Sequence, residues 1–153
     1  MLMHHRIFSE SEIRSRYEIM LDNYCKTIVI EARTMSDMAS RDILPAIEAY
    51  AADLAAAVSA KQSIMPDLPC TYEKSRIRKL SMLVDQIDDA VRVLEDALIS
   101  LGLVSDVTTQ ANMIRDEILP DMNLLRAPVD EAETLTAAKY WPFPTYGELL
   151  FGV

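Results

Sequence analysis

The chain has 153 residues, is half hydrophobic and contains only three glycines, which fits one mostly helical domain long enough to bury a core. Its 15 Lys and Arg face 24 Asp and Glu, for a net charge of −9, a surface that repels nucleic acid and anionic lipid, so neither is an expected partner. No run of ~18 apolar residues and no basic-then-apolar start is present, so the expected compartment is the cytoplasm, with Cys25 and Cys70 as reduced thiols.

Residues 1–9 lack a periodic pattern and are expected to be unstructured. His4 and His5 are the only histidines. A metal or phosphoryl role stays open for them, but the Glu-x-x-His pairs of carboxylate di-metal bundles cannot be built. Ser9 and Glu12 form an S-x-x-E capping box that opens a helix over about 10–59. Ile13, Tyr17, Met20, Tyr24 and Ile28 make its first stripe, and Met35, Met38, Ile43, Ile47, Tyr50, Leu54 and Val58 continue it. Pro45 lacks an N–H and clashes with the carbonyl four residues back, which predicts a kink. Pro66 and Pro69 mark a loop over 61–70.

The second helix, over 71–101, is the organising element. Ile77, Leu80, Val84, Ile87, Val91, Leu94, Leu98 and Leu101 recur in alternating steps of three and four, which keeps one apolar seam on one side. Leu83, Ala90 and Ala97 widen that seam. A helix of this length cannot bury it alone, so the helices before and after must cover it. Lys74, Arg76, Arg78 and Lys79 crowd its first turns, against the helix dipole. They read either as a site for an anion or acidic partner or as ion-pair partners of neighbouring helices. Asp85, Asp88, Asp89, Glu95 and Asp96 read as a solvated outer face. Gly102 can stop this helix, and Ser105 or Asp106 can cap the next.

The third helix, over 106–139, carries Val107, Ala111, Ile114, Ile118, Met122, Leu125, Val129 and Ala132, with bends expected at Pro120 and Pro128. The fold class is therefore all-α: an up-down-up bundle of three long, partly kinked helices spanning 10–139, with a short C-terminal tail. Counting along the helices puts both kinks level with Ile87 and leaves residues 10–28 overhanging by about 27 Å. The overhang presents Ile13, Tyr17, Met20 and Tyr24 as a contact stripe, which predicts a homodimer of the separate chain.

Residues 140–153 form a tail with five of the ten aromatics. Its prolines force an extended start, and Thr145 and Glu148 make a T-x-x-E box for a final helical turn. Payload of this kind docks, so Trp141, Pro142, Phe143, Pro144, Tyr146, Leu149, Leu150 and Phe151 are its candidate contact residues, with the 61–70 loop as neighbour. A proline-rich ligand for an adaptor domain is the alternative.

Three segments in order resemble the C-terminal region of type III glutamine synthetases. They are Ser15-Arg16-Tyr17-Glu18-Ile19 with Ile30-Glu31-Ala32-Arg33-Thr34, then Ile43-Leu44-Pro45-Ala46, then Val129-Asp130-Glu131 leading to Trp141-Pro142, Pro144-Thr145-Tyr146 and Leu149-Leu150-Phe151. Pro128 and Ala132 depart from it, where a helix former and a leucine are expected. The resemblance implies a parent that joins ammonia to glutamate with ATP and Mg or Mn, and an accessory helical domain that contacts the parent's catalytic region and neighbouring subunits. The family's catalytic motifs match no position here, so no catalytic, cofactor-binding or metal-ligating residue is carried over. A stand-alone helical interaction or oligomerisation module is the alternative.

Overall fold

The computed structural model of the chain describes residues 8–144 and 146–151. Four helices account for most of them: α1, Glu10–Ile64; α2, Thr71–Gly102; α3, residues 107–135; and α4, Tyr146–Phe151. No strand occurs among the described residues. His4, His5 and Thr145 lie outside them, as do residues 1–7 of the expected unstructured start.

α1 and α3 begin where the sequence supplies a cap, while α2 starts after Cys70 with no side-chain cap bond. Ser9 accepts from the Glu12 backbone N–H, and the Glu12 carboxylate takes the Ser9 N–H at 2.7 Å. That second bond holds the Glu12 carboxyl below the usual carboxylate range. Asp106 accepts from the Thr109 N–H at 2.8 Å and from its hydroxyl at 2.6 Å. Gly102 ends α2 differently from the left-handed cap that glycine allows. It is the last helical residue, Leu103 stays right-handed at φ −86°, and the Leu103 N–H tightens onto the Ser100 carbonyl. The helix limits also move. α1 runs to Ile64, so the loop shrinks to residues 65–70, and α3 stops at Leu135, where Thr136 turns extended at ψ 137°.

The prolines are absorbed without a break. Residues Ala39–Ile43 and Ile114–Ile118 form π turns inside otherwise continuous helices, each one residue before a Leu-Pro pair. The Leu44 N–H reaches the Ala39 carbonyl and the Leu119 N–H reaches that of Ile114, five residues back in each case. The widened turn gives the proline ring room where it would strike the carbonyl four residues earlier. Both helices thus place Ile-Leu-Pro at the same point of the wide turn. Pro128 sits inside α3, and the helix continues past it to Leu135.

The core follows α2. Leu80, Leu83, Ile87, Val91, Leu94, Leu98 and Leu101 are buried, while Val84 is half-buried, so the seam lies one residue toward Leu83 from its expected line. α1 meets it through Cys25, Ala32, Ser36, Ala39, Ile43, Ile47 and Ala51, and α3 through Ile114, Ile118, Leu125 and Ala132. Ala32 and Ala132 are both fully enclosed, which leaves no room for the leucine expected at 132. Ser36 donates to Glu95 Oε1 at 2.7 Å, and Lys79 pairs with Glu131 at 2.8 Å. Nine residues on from Ser36 and nine back from Glu95 set Pro45 beside Gln86. Eleven back from Glu131 and eleven on from Lys79 set Pro120 beside Ala90. The two prolines thus straddle Ile87.

At the other end the Cys25 thiol lies 3.9 Å from the Val107 carbonyl. The turn at 103–106 carries the chain past the end of α2, so α3 begins level with Cys25. The overhang of α1 is therefore residues 10 to about 24, roughly 22 Å at ~1.5 Å per residue, shorter than the 27 Å expected.

Candidate interaction surfaces

The chemistry on this molecule lies on its surfaces. Among the described residues no group of three His, Cys, Asp or Glu side chains is placed to hold a metal ion. Three carboxylates of the acidic face of α2 are held locally. Arg92 bridges Asp88, at 3.1 Å, and Asp89, and Glu95 takes the Ser36 hydroxyl. Of the basic run, Lys79 pairs with Glu131 and Arg76 lies over the Tyr72 ring, while the neighbouring Glu73 pairs with Lys61. The Lys61 ammonium in turn holds the Glu73 carboxyl low. Cys25 is buried, and burial pushes its thiol upward, away from the thiolate that reactivity requires.

The first surface is the near end of α1. Tyr17 is 58% exposed, Met20 72% and Tyr24 40%, while Ile13 is half-buried. The stripe leaves the line of the core because the buried face of α1 runs instead through Cys25, Ala32 and Ser36. The Arg16 guanidinium stacks 4.5 Å over the Phe8 ring beside it.

The same face leads into a second feature, a groove of about 440 Å³ between α1 and α3. Ala39, Ile43 and Leu125 are buried at its base, and Ile30, Met35, Met38 and Val129 stand along its sides. No stretch of sequence spells this groove, since its two walls lie about 90 residues apart.

The third surface is the tail. Its seat is the second half of α1, where the loop at 61–70 was the expected neighbour. The Tyr140 hydroxyl donates to the Asp53 carboxylate, and its ring lies 5.3 Å from that of Tyr50. Lys139 sits 4.5 Å over the Tyr140 ring. Trp141 and Phe143 are half-buried against the core. The shift follows from the early end of α3, because Tyr140 and Trp141 already turn back onto the carbonyls of Ala137 and Ala138. Pro142, Pro144, Leu149 and Leu150 are exposed, and the side chains of Tyr146 and Phe151 lie outside the described residues. The tail thus divides into a seated part up to Phe143 and a part whose two leucines face outward.

Behind this seat is a cluster that no local pattern announces, because Tyr50, Tyr72 and Tyr140 are 22 and 68 residues apart in the chain. The Tyr50 hydroxyl bonds to that of Tyr72, and with Arg76 alongside it holds the Tyr72 phenol below its usual range. Burial pushes Tyr50 the other way.

One 18-residue window of α1 reaches a mean hydropathy of 1.4. The helix nevertheless buries Ile47 and Ala51 on the bundle and exposes Glu48 and Asp53, as an alanine-rich core helix does.

The described residues make a capped, ion-paired helical bundle that presents apolar surfaces. Residues 1–62 match the family model described as the glutamine synthetase C-terminal domain. A glutamine synthetase of Butyrivibrio fibrisolvens is 37% identical over 97% of this chain. A type-3 glutamine synthetase of Dictyostelium discoideum is 30% identical over 95% of it, and a glutamine synthetase of Bacteroides fragilis is 27% identical over 98%. The chain belongs to the glutamine synthetase family as its C-terminal domain, and it spans 21% of the length of each of these curated relatives.

Proposed function

We propose that this chain serves as the assembly domain of a type III glutamine synthetase. The parent joins ammonia to glutamate using ATP and Mg or Mn, in the cytoplasm, and the domain contributes no catalytic group. Its apolar surfaces contact the parent's catalytic region and neighbouring subunits. As a separate chain it pairs with a second copy through α1. The observation that carries this reading is the exposed line of Tyr17, Met20 and Tyr24 in a chain whose relatives extend about five times further. Large apolar residues in a row mark a contact surface, and the net charge of −9 turns away nucleic acid and anionic membranes.

The test uses the Butyrivibrio relative with and without the matching C-terminal segment. Loss of the oligomer, with activity falling in parallel and returning when the domain is supplied in trans, is the expected result. A truncated enzyme that assembles and turns over like the full one overturns the reading. Glutamine formed by the present chain alone, above background, overturns the claim that it is catalytically empty.

A further inference from the structure

We propose that the groove between α1 and α3 is filled by α1 of a second copy, so that two copies pair antiparallel about an axis near Thr27. Tyr17, Met20 and Tyr24 of each copy enter the groove of the other. The inference rests on the assembly reading and names the partner of that face.

Four observations converge on this arrangement. The stripe and the groove share one face of one helix. From Tyr17 the steps of three and four run through Met20, Tyr24, Thr27, Glu31 and Thr34 to Met38, and all seven residues are exposed. The lengths agree, since residues 17–24 cover about 11 Å and the groove wall over residues 30–38 about 12 Å at ~1.5 Å per residue. Turning one copy about Thr27 sets Tyr24 opposite Ile30, Met20 opposite Thr34 and Tyr17 opposite Asp37, beside Met38, which brings each stripe to the other groove.

The area suffices. Tyr17, Met20, Tyr24, Ile30 and Met38 are 58, 72, 40, 64 and 37% exposed. At roughly 200 Å² for a large side chain, complete burial of these five residues in both copies removes about 1,100 Å², the groove residues Ile30 and Met38 included, enough to clear the ~1,000 Å² that a specific interface needs. Charge favours this place as well. Helix residues 10–38 hold six acids and four bases, a net −2 of the chain's −9, so two copies repel only weakly here. The arrangement also sets Arg14 and Arg16 across from Asp37 and Asp42 of the other copy, a match of sign that steers encounter.

Sedimentation equilibrium of the chain should show a dimer. Oxidation of Thr27→Cys should trap it covalently, because residue 27 meets itself at the axis while Cys25 and Cys70 are buried. Met20→Glu on the stripe and Val129→Glu in the groove should each raise the dissociation constant at least tenfold, about 1.4 kcal/mol, with helicity by circular dichroism unchanged. Met20 is so exposed that its variant cannot fail by unfolding. A chain monomeric at every concentration overturns the inference, and so does a dimer indifferent to both glutamates or one that Thr27→Cys does not trap. If the truncated relative loses its oligomer while this chain stays monomeric, the pairing alone falls and the assembly reading stands.

Discussion

Thr136 carries the only buried side-chain oxygen without a hydrogen-bond partner among the described residues. The residue ends α3 and is 8% exposed, so its hydroxyl lost water and gained nothing. Thr136→Val keeps the shape and the extended backbone, and should stabilise the fold by about 1 kcal/mol, read as a higher melting temperature. Asp106 is the opposite case. Its bonds from the Thr109 hydroxyl and N–H lower its pKa below the ordinary aspartate value. A lowered folded pKa means that the contribution is fully present above the unfolded pKa, near 4, and is lost as pH falls through the folded one. Asp106→Asn keeps an N-cap without the charge. The difference in melting temperature between the two proteins should therefore be largest near neutrality and shrink below about pH 4. The caps were legible in the sequence because they depend on neighbours three residues away. Thr136 was not, since its isolation depends on where α3 stops and what folds over it.

The elements were legible to the degree that their signals are periodic. The alternating steps of α2 located its buried residues to within one position, and α3 shows its buried line at Ile114, Ile118, Leu125 and Ala132. In α1 the large residues misled, because the face on the core is lined by Cys25, Ala32, Ser36 and Ala39. Small residues allow close approach there and carry little hydropathic signal. Prolines were read as kinks, and the structure answers with wide turns. The trace was present in the spacing. Ala39, Ile43, Ile47 and Ala51 are four apart in succession, and each such step drifts by about 40° in an ordinary helix, which a turn with one extra residue takes back. Pro128 has no such relief, so the Leu124 carbonyl lacks its usual donor. Pro128→Ala should restore that bond and raise stability by about 1–2 kcal/mol, less than the full cost of an interior proline because the unfolded chain also gains freedom. Unchanged melting would show that α3 has already adjusted around it.

For the whole molecule, everything converges on the seam of α2. Val91 is 4% exposed and lies in the core shared with α1 and α3. Val91→Asp places an unpaired charge there, at a cost of several kcal/mol, and should abolish cooperative melting. A folded variant with normal melting would contradict the core. The all-α class and the antiparallel order followed from composition and short loops. The seat of the tail and the groove did not, because both join residues far apart in sequence, and neither Tyr140 nor Val129 carries a mark of its distant partner.

The two π turns make this architecture unusually sensitive to indels. Each is in effect a tolerated one-residue insertion, held in phase by the proline just beyond it. Deleting Ser40 would let α1 close into a plain α-helix, and its N-terminal half would swing by about 100° about the helix axis relative to its C-terminal half. Cys25, Ala32 and Ser36 would turn away from α2, and the stripe at Tyr17, Met20 and Tyr24 would point to a different side of the molecule. A single-codon loss here would leave the composition and most of the core intact while redirecting the surface that the domain offers to its neighbours.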